Sequence, residues 1–143
     1  MPDYSEKFQK MRIAGKVAAE TLDMLTNNIK PGVTTEFIDK LGYEFIRDNG
    51  AYSAPLFYRG FKKSLCTSLN HVVCHGIPSD RVLNEGDALN VDVTAIIDEH
   101  YGDTSRMFCI GKTPVKVNNL IDATYESMMR AIKLLKPGLR LGD

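Results

Sequence analysis

The 143-residue sequence predicts an α+β fold, with helices before and after a block of antiparallel strands. Apolar residues recur at helical spacing over about 5–28 and 117–135, and a shorter amphipathic segment lies near 34–50. Between 51 and 110 the chain has short apolar runs broken by turn residues. Within that block, 89–97 alternates apolar with polar side chains, which is typical of a strand with one buried face.

The ends of the helices are predicted from capping signals. Asp3 followed by Glu6 resembles a capping box at the start of the first helix. Thr34 or Thr35 can cap the second helix, which is expected to end near Asn49. The residues expected to face the core are Phe8, Met11, Ala14, Ala18, Leu22, Leu25 and Ile29 in the first helix, Phe37, Ile38, Leu41 and Phe45 in the second, and Val117, Leu120, Ile121, Thr124, Met128 and Ile132 in the third.

A hairpin is expected between 89–97 and a second strand over 102–110. The intervening Asp98-Glu99-His100 supplies turn residues. If the turn is centred between Ile97 and Asp98, Asp92 faces Asp103 across the two strands. The same register pairs Asn90 with Ser105 and Thr94 with Tyr101, so one face of the hairpin is polar.

The two facing carboxylates, Asp92 and Asp103, need a compensating charge. Directly opposed side chains lie about 4.5–5.5 Å apart at Cβ, where like charges are destabilising. A pair of divalent metal ions would remove the repulsion. Two other interpretations stay open, namely that Asp103 belongs to a Gly-Asp turn while Asp92 pairs with a lysine or arginine, or that the register slips by one residue. Aspartate is depleted in mid-strand, which favours the paired-ligand interpretation.

Two further groups could serve chemistry. His75 lies before a glycine, and it could bind a metal, transfer a proton, donate a hydrogen bond to a substrate, or be an ordinary loop histidine. His71 and His100 are expected at the surface. The apolar cluster Tyr58, Phe61, Leu65 and Cys66 could belong to the core or line a pocket beside the metals, while Arg59, Lys62 and Lys63 are expected to point to water.

Composition excludes several classes of protein. Lys plus Arg number 18 and Asp plus Glu number 18, so the formal net charge is zero and nucleic acid is not expected as the main partner. No apolar run approaches the length of a membrane span, and the first residues lack the features of a signal peptide. Three cysteines form no disulfide framework, which favours a reducing cytoplasm. We therefore expect one cytoplasmic domain spanning 1–143.

A weak internal repeat bears on this domain assignment. The first helix is followed by Lys30-Pro31-Gly32-Val33, and the third by Lys136-Pro137-Gly138-Leu139. Chance could produce the match, because Pro-Gly is common after a helix. Alternatively, the chain is the first half of a protein with two repeats, and it stops before the second half-repeat.

The order and spacing of four motifs resemble the type I, bacterial form of methionine aminopeptidase over essentially the whole chain, as its amino-terminal portion. These motifs are Met11-Arg12-x-Ala14-Gly15, Val73-Cys74-His75-Gly76-Ile77-Pro78, Glu85-Gly86-Asp87 leading into Asn90-Val91-Asp92-Val93-Thr94, and Gly102-Asp103-Thr104-Ser105-Arg106. The resemblance implies the pita-bread fold, which has two pseudo-symmetric α+β halves. It also implies removal of the initiator methionine from amino-terminal Met peptides of nascent proteins, in proximity to the ribosome.

The resemblance further implies roles for individual residues. The aspartates matching Asp92 and Asp103 hold two divalent ions (Co, Mn, Fe or Zn), with Asp103 bridging both, and the bridging water attacks the first peptide bond. His75 contacts the substrate near the scissile amide. The remaining implied roles are a pocket for the methionine side chain lined by Tyr58, Phe61 and Cys66, and a monovalent cation held by the backbone carbonyls of Asn70 and Val72.

The sequence departs from the family pattern in ways that affect the expected activity. The family's other metal ligands, one histidine and two glutamates, lie in its second half, so we expect weak metal binding and little activity from these 143 residues alone. Arg59 and Lys62 stand where histidine and proline are common. The alternatives are a proline-specific relative, disfavoured by His75-Gly76-Ile77-Pro78, and a non-catalytic binding module, disfavoured because Asp92 and Asp103 are retained.

Overall fold

The structure, a computed structural model, describes residues 4–143, so the proposed cap Asp3 lies outside the described residues. It divides into two compact units, one ending at Lys112 and one spanning Thr113–Asp143. The first contains α1 (Ser5–Thr26), α2 (Thr35–Asp48), β1 (Tyr52–Ser53), a 3-10 turn (Tyr58–Gly60), β2 (Cys66–Leu69), β3 (Ala88–Ile97) and β4 (His100–Cys109), and the second contains α3 (Val115–Leu134). The predicted α+β class is confirmed.

The four strands form one antiparallel sheet with β3 at its centre. β4 pairs with β3 along the whole length of both strands. On the other edge of β3, β2 pairs with its first half and β1 with its second half. The predicted alternation is confirmed, since Leu89, Val91, Val93 and Ala95 are buried while the residues between them are half-buried.

The core lies between one face of this sheet and the helices α1 and α2. Its buried residues include Ala18, Leu22, Leu25, Ile38, Ile46, Leu65, Leu83, Leu89, Val91 and Val93. α1 lies very close to β4, because a Cβ placed on Gly102 would be 2.2 Å from the backbone nitrogen of Gly15. Further along, the Arg106 guanidinium donates a 2.8 Å hydrogen bond to Asp23, so α1 runs in the same direction as β4.

Helix α2 begins as predicted. The Thr34 side chain accepts a 3.2 Å hydrogen bond from the Phe37 backbone nitrogen, and Thr34 itself is extended, as an N-cap residue should be. The helix ends at Asp48, and Asn49 follows as the C-cap. Local capping chemistry therefore sets both ends of this helix.

Several residues predicted to be buried are exposed. Phe8 and Met11 are 53% and 49% exposed, and the buried face of α1 begins only at Ala14. Phe37 is 44% exposed, and in its place Thr35, Ile38 and Asp39 form the buried face of α2. α3 has no buried residue, so the inward positions predicted for it, Val117, Leu120, Ile121, Thr124, Met128 and Ile132, are wrong as burial predictions. Spacing identifies an apolar face but not whether another surface covers it.

The predicted hairpin register is also wrong. Thr94 faces Asp103 and Asp92 faces Ser105. The turn consists of Asp98 and Glu99, whose φ angles of 47° and 63° are both left-handed, so its centre lies one residue later than expected. Two-residue hairpins prefer such turns because their twist matches that of the strands. The change moves the partner of Asp92 by two residues, which keeps Asp92 and Asp103 on the same face as diagonal neighbours.

Candidate active site

A cleft of about 800 Å³ lies on the face of the sheet that points away from the core. Six residues predicted from sequence line it together, namely Tyr58, Phe61, Cys66, His75, Asp92 and Asp103. The other two predicted site residues, Asn70 and Val72, do not line it. Leu65, grouped with the aromatic cluster in the sequence, is instead fully buried in the core.

The carboxyl groups of Asp92 and Asp103 are hydrogen-bonding neighbours within this cleft. Burial raises the pKa of Asp92, and the negative charge of Asp103 and the hydrogen bond between the two carboxyl groups raise it further. His75 lies close enough to oppose this rise electrostatically. Asp92 therefore holds its proton more readily than an isolated aspartate.

Within residues 4–143, neither carboxylate forms an ion pair with a lysine or arginine. None of the seven ion pairs formed in residues 4–143 includes Asp92 or Asp103, so the alternative in which Asp92 pairs with a lysine or arginine is wrong. Within that described range, no group of three or more His, Cys, Asp or Glu side chains is arranged to hold a metal ion. The donor set that this unit offers is therefore the carboxylate pair, whose oxygens fit a divalent cation.

Cys66 is directly opposite Asp92 on the neighbouring strand β2. Burial raises the pKa of its thiol to about 11, and the charge of Asp92 contributes in the same direction. The thiol is therefore protonated at neutral pH. Because the thiolate is the nucleophilic form of cysteine, Cys66 is suited to lining the cleft and not to attacking a substrate.

A buried aspartate that the sequence analysis did not identify anchors the strand bearing Cys66. One carboxylate oxygen of Asp39 accepts hydrogen bonds from the Ser64 nitrogen (2.8 Å), the Ser64 hydroxyl (2.7 Å) and the Leu65 nitrogen (2.8 Å). These bonds tie α2 to the residues that immediately precede β2. An acidic residue next to Ile38 on the core side of an amphipathic helix was the sequence signal that could have revealed it.

His75 enters the cleft from the loop after β2, in a left-handed conformation with φ of 54°. The Thr67 nitrogen donates a 2.8 Å hydrogen bond to the Gly76 carbonyl, and the Gly76 nitrogen donates a 3.1 Å bond to the Ser68 hydroxyl. A Cβ on Gly76 would lie 2.2 Å from the Thr67 oxygen, so this close approach requires glycine. Glycine at position 76 is thus needed to seat this segment against β2.

Asn70 holds the other end of the same loop. Its side-chain amide donates to Asp87 at 2.8 Å and accepts from the Ala88 nitrogen at 3.0 Å. Burial opposes ionisation of Asp87, but the hydrogen bonds from Asn70 and Asn84 lower the pKa of that carboxyl. The side chain of Asn70 thereby joins the end of β2 to the start of β3.

The other two histidines lie outside the cleft. His71 is exposed, as predicted. His100 is half-buried instead of lying fully at the surface, and its Nδ1 is 2.6 Å from the Asp98 carbonyl oxygen. This contact lies at the β3–β4 turn, so His100 stabilises the hairpin and does not contribute to the cleft.

The aromatic end of the cleft is built on a strained turn. Phe57 and Arg59 have φ angles of 68° and 49°. The Arg59 guanidinium carbon lies 5.4 Å from the centre of the exposed Tyr58 ring, a cation–π distance. Arg59 and Lys62 are exposed as expected, whereas the half-buried Lys63 pairs with Glu36.

Further lining residues follow from strand alternation. Thr94, Ile96 and Tyr101 lie on the same face of the hairpin as Asp92 and Asp103, and all three line the cleft. None of these three residues was among the site residues predicted from the sequence. The signal was nonetheless present, because side chains two residues apart on a strand share a face.

The fold and the site together define an α+β protein with a cleft of the kind that metal-dependent hydrolases use, with carboxylates and an imidazole on one wall. The chain belongs to metallopeptidase family M24, whose family model matches residues 9–143. Its fold is the pita-bread type, as predicted.

Sequence relatives agree with this assignment. The chain is 54% identical over 141 residues to methionine aminopeptidase of Rickettsia prowazekii, covering 98% of this chain and 54% of that relative. It is 50% identical over 139 residues to the methionine aminopeptidase of Salmonella typhimurium, covering 96% and 53%. The chain thus spans about half the length of the curated relatives it matches.

Solved structures give the same result. The crystal structure of methionine aminopeptidase from Rickettsia prowazekii matches with a TM-score of 0.96 at 52% identity, over 100% of this chain and 58% of that one. Methionine aminopeptidase from Thermotoga maritima matches with a TM-score of 0.95 at 35% identity, over 99% and 57%. Xaa-Pro dipeptidase from Bacillus anthracis, at 20% identity and a TM-score of 0.83 over 94% and 37%, shares the fold.

Proposed function

We propose that the protein carrying this chain is a metal-dependent aminopeptidase that removes the initiator methionine from the amino-terminal Met peptides of nascent proteins. The observation that carries the proposal is the adjoining pair Asp92 and Asp103, without a cationic partner in residues 4–143, in a cleft that also contains His75. The relatives named methionine aminopeptidase support the choice of substrate.

Asp92 and Asp103 are the residues that would hold divalent metal, and two ions are proposed. Carboxylate oxygens beside one imidazole suit Mn, Fe, Co or Zn. When bound, such ions supply activation of water and polarisation of the carbonyl to be attacked. Burial and, after it, the charge of Asp103 raise the pKa of Asp92, and bound cations would relieve the repulsion between the two carboxyl groups.

The other lining residues are proposed to bind and orient the substrate. His75 would donate a hydrogen bond to the peptide next to the bond that is cleaved. Tyr58, Phe61 and the protonated Cys66 would accept the methionine side chain, because they offer an apolar surface without a competing charge. A peptide held in this way presents its first amide to the carboxylate end of the cleft.

Two subsidiary proposals concern the surroundings of the site. The backbone carbonyls of Asn70 and Val72 would hold a monovalent cation at the loop that bears His75. The whole chain, 1–143, would act as part of one metallopeptidase domain in the cytoplasm, in proximity to the ribosome where its substrates emerge. Its zero net charge gives no support for binding nucleic acid directly.

The carboxylate pair is tested by calorimetric titration with Mn²⁺. Asp92→Asn and Asp103→Asn should each weaken Mn²⁺ binding by about tenfold or more, because each removes a charged ligand oxygen. Asp98→Asn is the matched control, since Asp98 is an exposed aspartate in the turn of the same hairpin. Equal affinity in all four proteins would contradict the proposed metal site.

Residues 1–143 alone should hydrolyse Met peptides negligibly, so the substrate is tested with a peptide panel on the metal-loaded chain complemented by a second half that supplies the family's remaining metal ligands. Met-Ala peptides should be cleaved in preference to Xaa-Pro peptides. Preference for Xaa-Pro would instead identify a proline-specific relative. Metal binding without cleavage of either class would favour a binding module.

A further inference from the structure

The backbone of His75 is held in an uncommon conformation. Its φ of 54° lies in the left-handed region, which residues with a side chain rarely adopt. Such conformations cost free energy and persist only where surrounding contacts determine them. The contacts that hold His75 therefore decide where its imidazole points.

Those contacts fall on the next residue, Gly76. Its carbonyl accepts a hydrogen bond from the Thr67 nitrogen at 2.8 Å, and its nitrogen donates to the Ser68 hydroxyl at 3.1 Å. The first is a backbone contact that any residue at position 67 other than proline could make. The second depends on a side chain, and Ser68 is 4% exposed within β2, so water competes poorly for it.

The rest of the loop contributes little to holding His75. The residues from His71 to Cys74 are exposed, and Val73 is 95% exposed. The far end is held by Asn70, whose side chain bonds Asp87 and Ala88. The Gly76 end therefore holds His75 more firmly than the exposed residues on its other side, because Gly76 is bonded to His75 and makes two hydrogen bonds to β2.

We propose that Ser68 is a positioning residue for His75, acting through the hydrogen bond that its hydroxyl accepts from the Gly76 nitrogen. This bond keeps Gly76 against β2 and His75 in its left-handed conformation, with the imidazole in the cleft beside Asp92. The positioning stands on the geometry alone. Its consequence for catalysis rests on the proposed function, in which His75 contacts the substrate.

The test compares four variants by NMR. Ser68→Ala removes the acceptor, Ser68→Cys keeps the size with a weaker acceptor, and Ser68→Thr keeps the hydroxyl. Ser53→Ala is the matched control, because the Ser53 hydroxyl is also buried in the sheet but has no hydrogen-bond partner in the described residues. The readouts are amide hydrogen exchange at Gly76 and the ring signals of His75, with His71 and His100 as internal references.

We expect Ser68→Ala to accelerate Gly76 exchange by about tenfold, the loss of one net hydrogen bond, and to shift the ring signals of His75 alone. Ser68→Cys should have a smaller effect in the same direction. Ser68→Thr and Ser53→Ala should match the parent. If Ser68→Ala and Ser68→Cys lower stability but leave the His75 signals unchanged, Ser68 is merely structural and the inference is overturned.

A kinetic readout separates this inference from the proposed function. If His75 contacts the reacting peptide, Ser68→Ala in the chain complemented by a second half should lower kcat for a Met-Ala peptide by about tenfold while KM changes little, since the affected contact is strongest in the transition state. A shift of the His75 signals without a change in kcat would leave the positioning intact. It would contradict the catalytic role proposed for His75.

Discussion

At the scale of single residues, the carboxylates of Asp92 and Asp103 repel each other in the folded chain. Asp92 is half-buried next to the charge of Asp103, and no basic side chain among residues 4–143 pairs with either. A lysine or arginine paired with either carboxylate would reduce the repulsion. Because residues 4–143 contain no such ion pair, protonation or a bound cation must reduce it instead.

The burial of Asp92 and its repulsion from Asp103 predict how the stability of the fold depends on pH. Because the folded pKa of Asp92 is raised above its unfolded value of about 4, the folded chain binds the extra proton. The resulting stability is fully present below about pH 4 and is lost as pH rises through the folded pKa. At pH 7, Asp92→Asn should therefore be more stable than the parent by about 0.5–1 kcal/mol, and at pH 4 the difference should shrink.

Urea unfolding at the two pH values, without metal, measures this difference. Asp98→Asn serves as control and should show no comparable change. A parent chain that gains stability over Asp92→Asn as pH rises would contradict the assignment. Added Mn²⁺ should reverse the order at pH 7, because only the parent retains both carboxylates.

At the scale of secondary-structure elements, Asp39 connects α2 with β2. Its single oxygen accepts three hydrogen bonds from Ser64 and Leu65, all in a buried setting. Asp39→Ala should lower the free energy of unfolding by about 3 kcal/mol, since it leaves buried donors without an acceptor. Asp39→Asn keeps an acceptor oxygen and should cost about 1 kcal/mol.

Denaturant unfolding with Asp48→Ala as an exposed control tests the role of Asp39. A loss below 1 kcal/mol in Asp39→Ala would mean that other contacts hold the start of β2. Cys66 follows Leu65 directly. If Asp39→Ala loosens the start of β2, the Cys66 thiol should be alkylated faster in this variant than in the parent.

The contact between α1 and β4 depends on Gly102. A Cβ at this position would lie 2.2 Å from the α1 backbone, which cannot move aside as a flexible side chain can. Gly102→Ala should therefore destabilise the chain by about 3 kcal/mol through overpacking. Gly15→Ala is the matched control, since a Cβ there meets nothing within 4 Å and alanine favours the helix.

Thermal unfolding followed by circular dichroism separates the two glycines. Gly102→Ala should lower Tm, and Gly15→Ala should leave it unchanged or raise it. Similar Tm values for both variants would show that α1 can shift away from β4 at little cost.

At the scale of the whole molecule, the sheet of the first unit separates the hydrophobic core from the cleft. α1 and α2 cover one face, and the cleft lies on the other. Among residues 4–143, no helix is long and apolar enough to cross a membrane. Strand β3 contributes to both the core and the cleft. Its residues Leu89, Val91 and Val93 are buried in the core, and Asp92 and Thr94 line the cleft.

The three helices, the β3–β4 hairpin and the placement of Asp92 and Asp103 on one face of it could be predicted from the sequence. Alternation with a period of two assigns faces without knowledge of the register, so the wrong turn centre still left the aspartates together. Capping at Thr34 likewise depends on the chain nearby.

Three features could be established only from the folded chain, namely the register of the hairpin, the role of Asp39 and the separation of buried Leu65 from cleft-lining Cys66. The structure likewise shows that Phe8 is exposed although it shares the apolar stripe of α1 with buried Leu22 and Leu25. These outcomes depend on backbone conformation at a turn and on contacts between residues far apart in the chain. Local patterns record which side chains share a face, but packing between elements decides what each face meets.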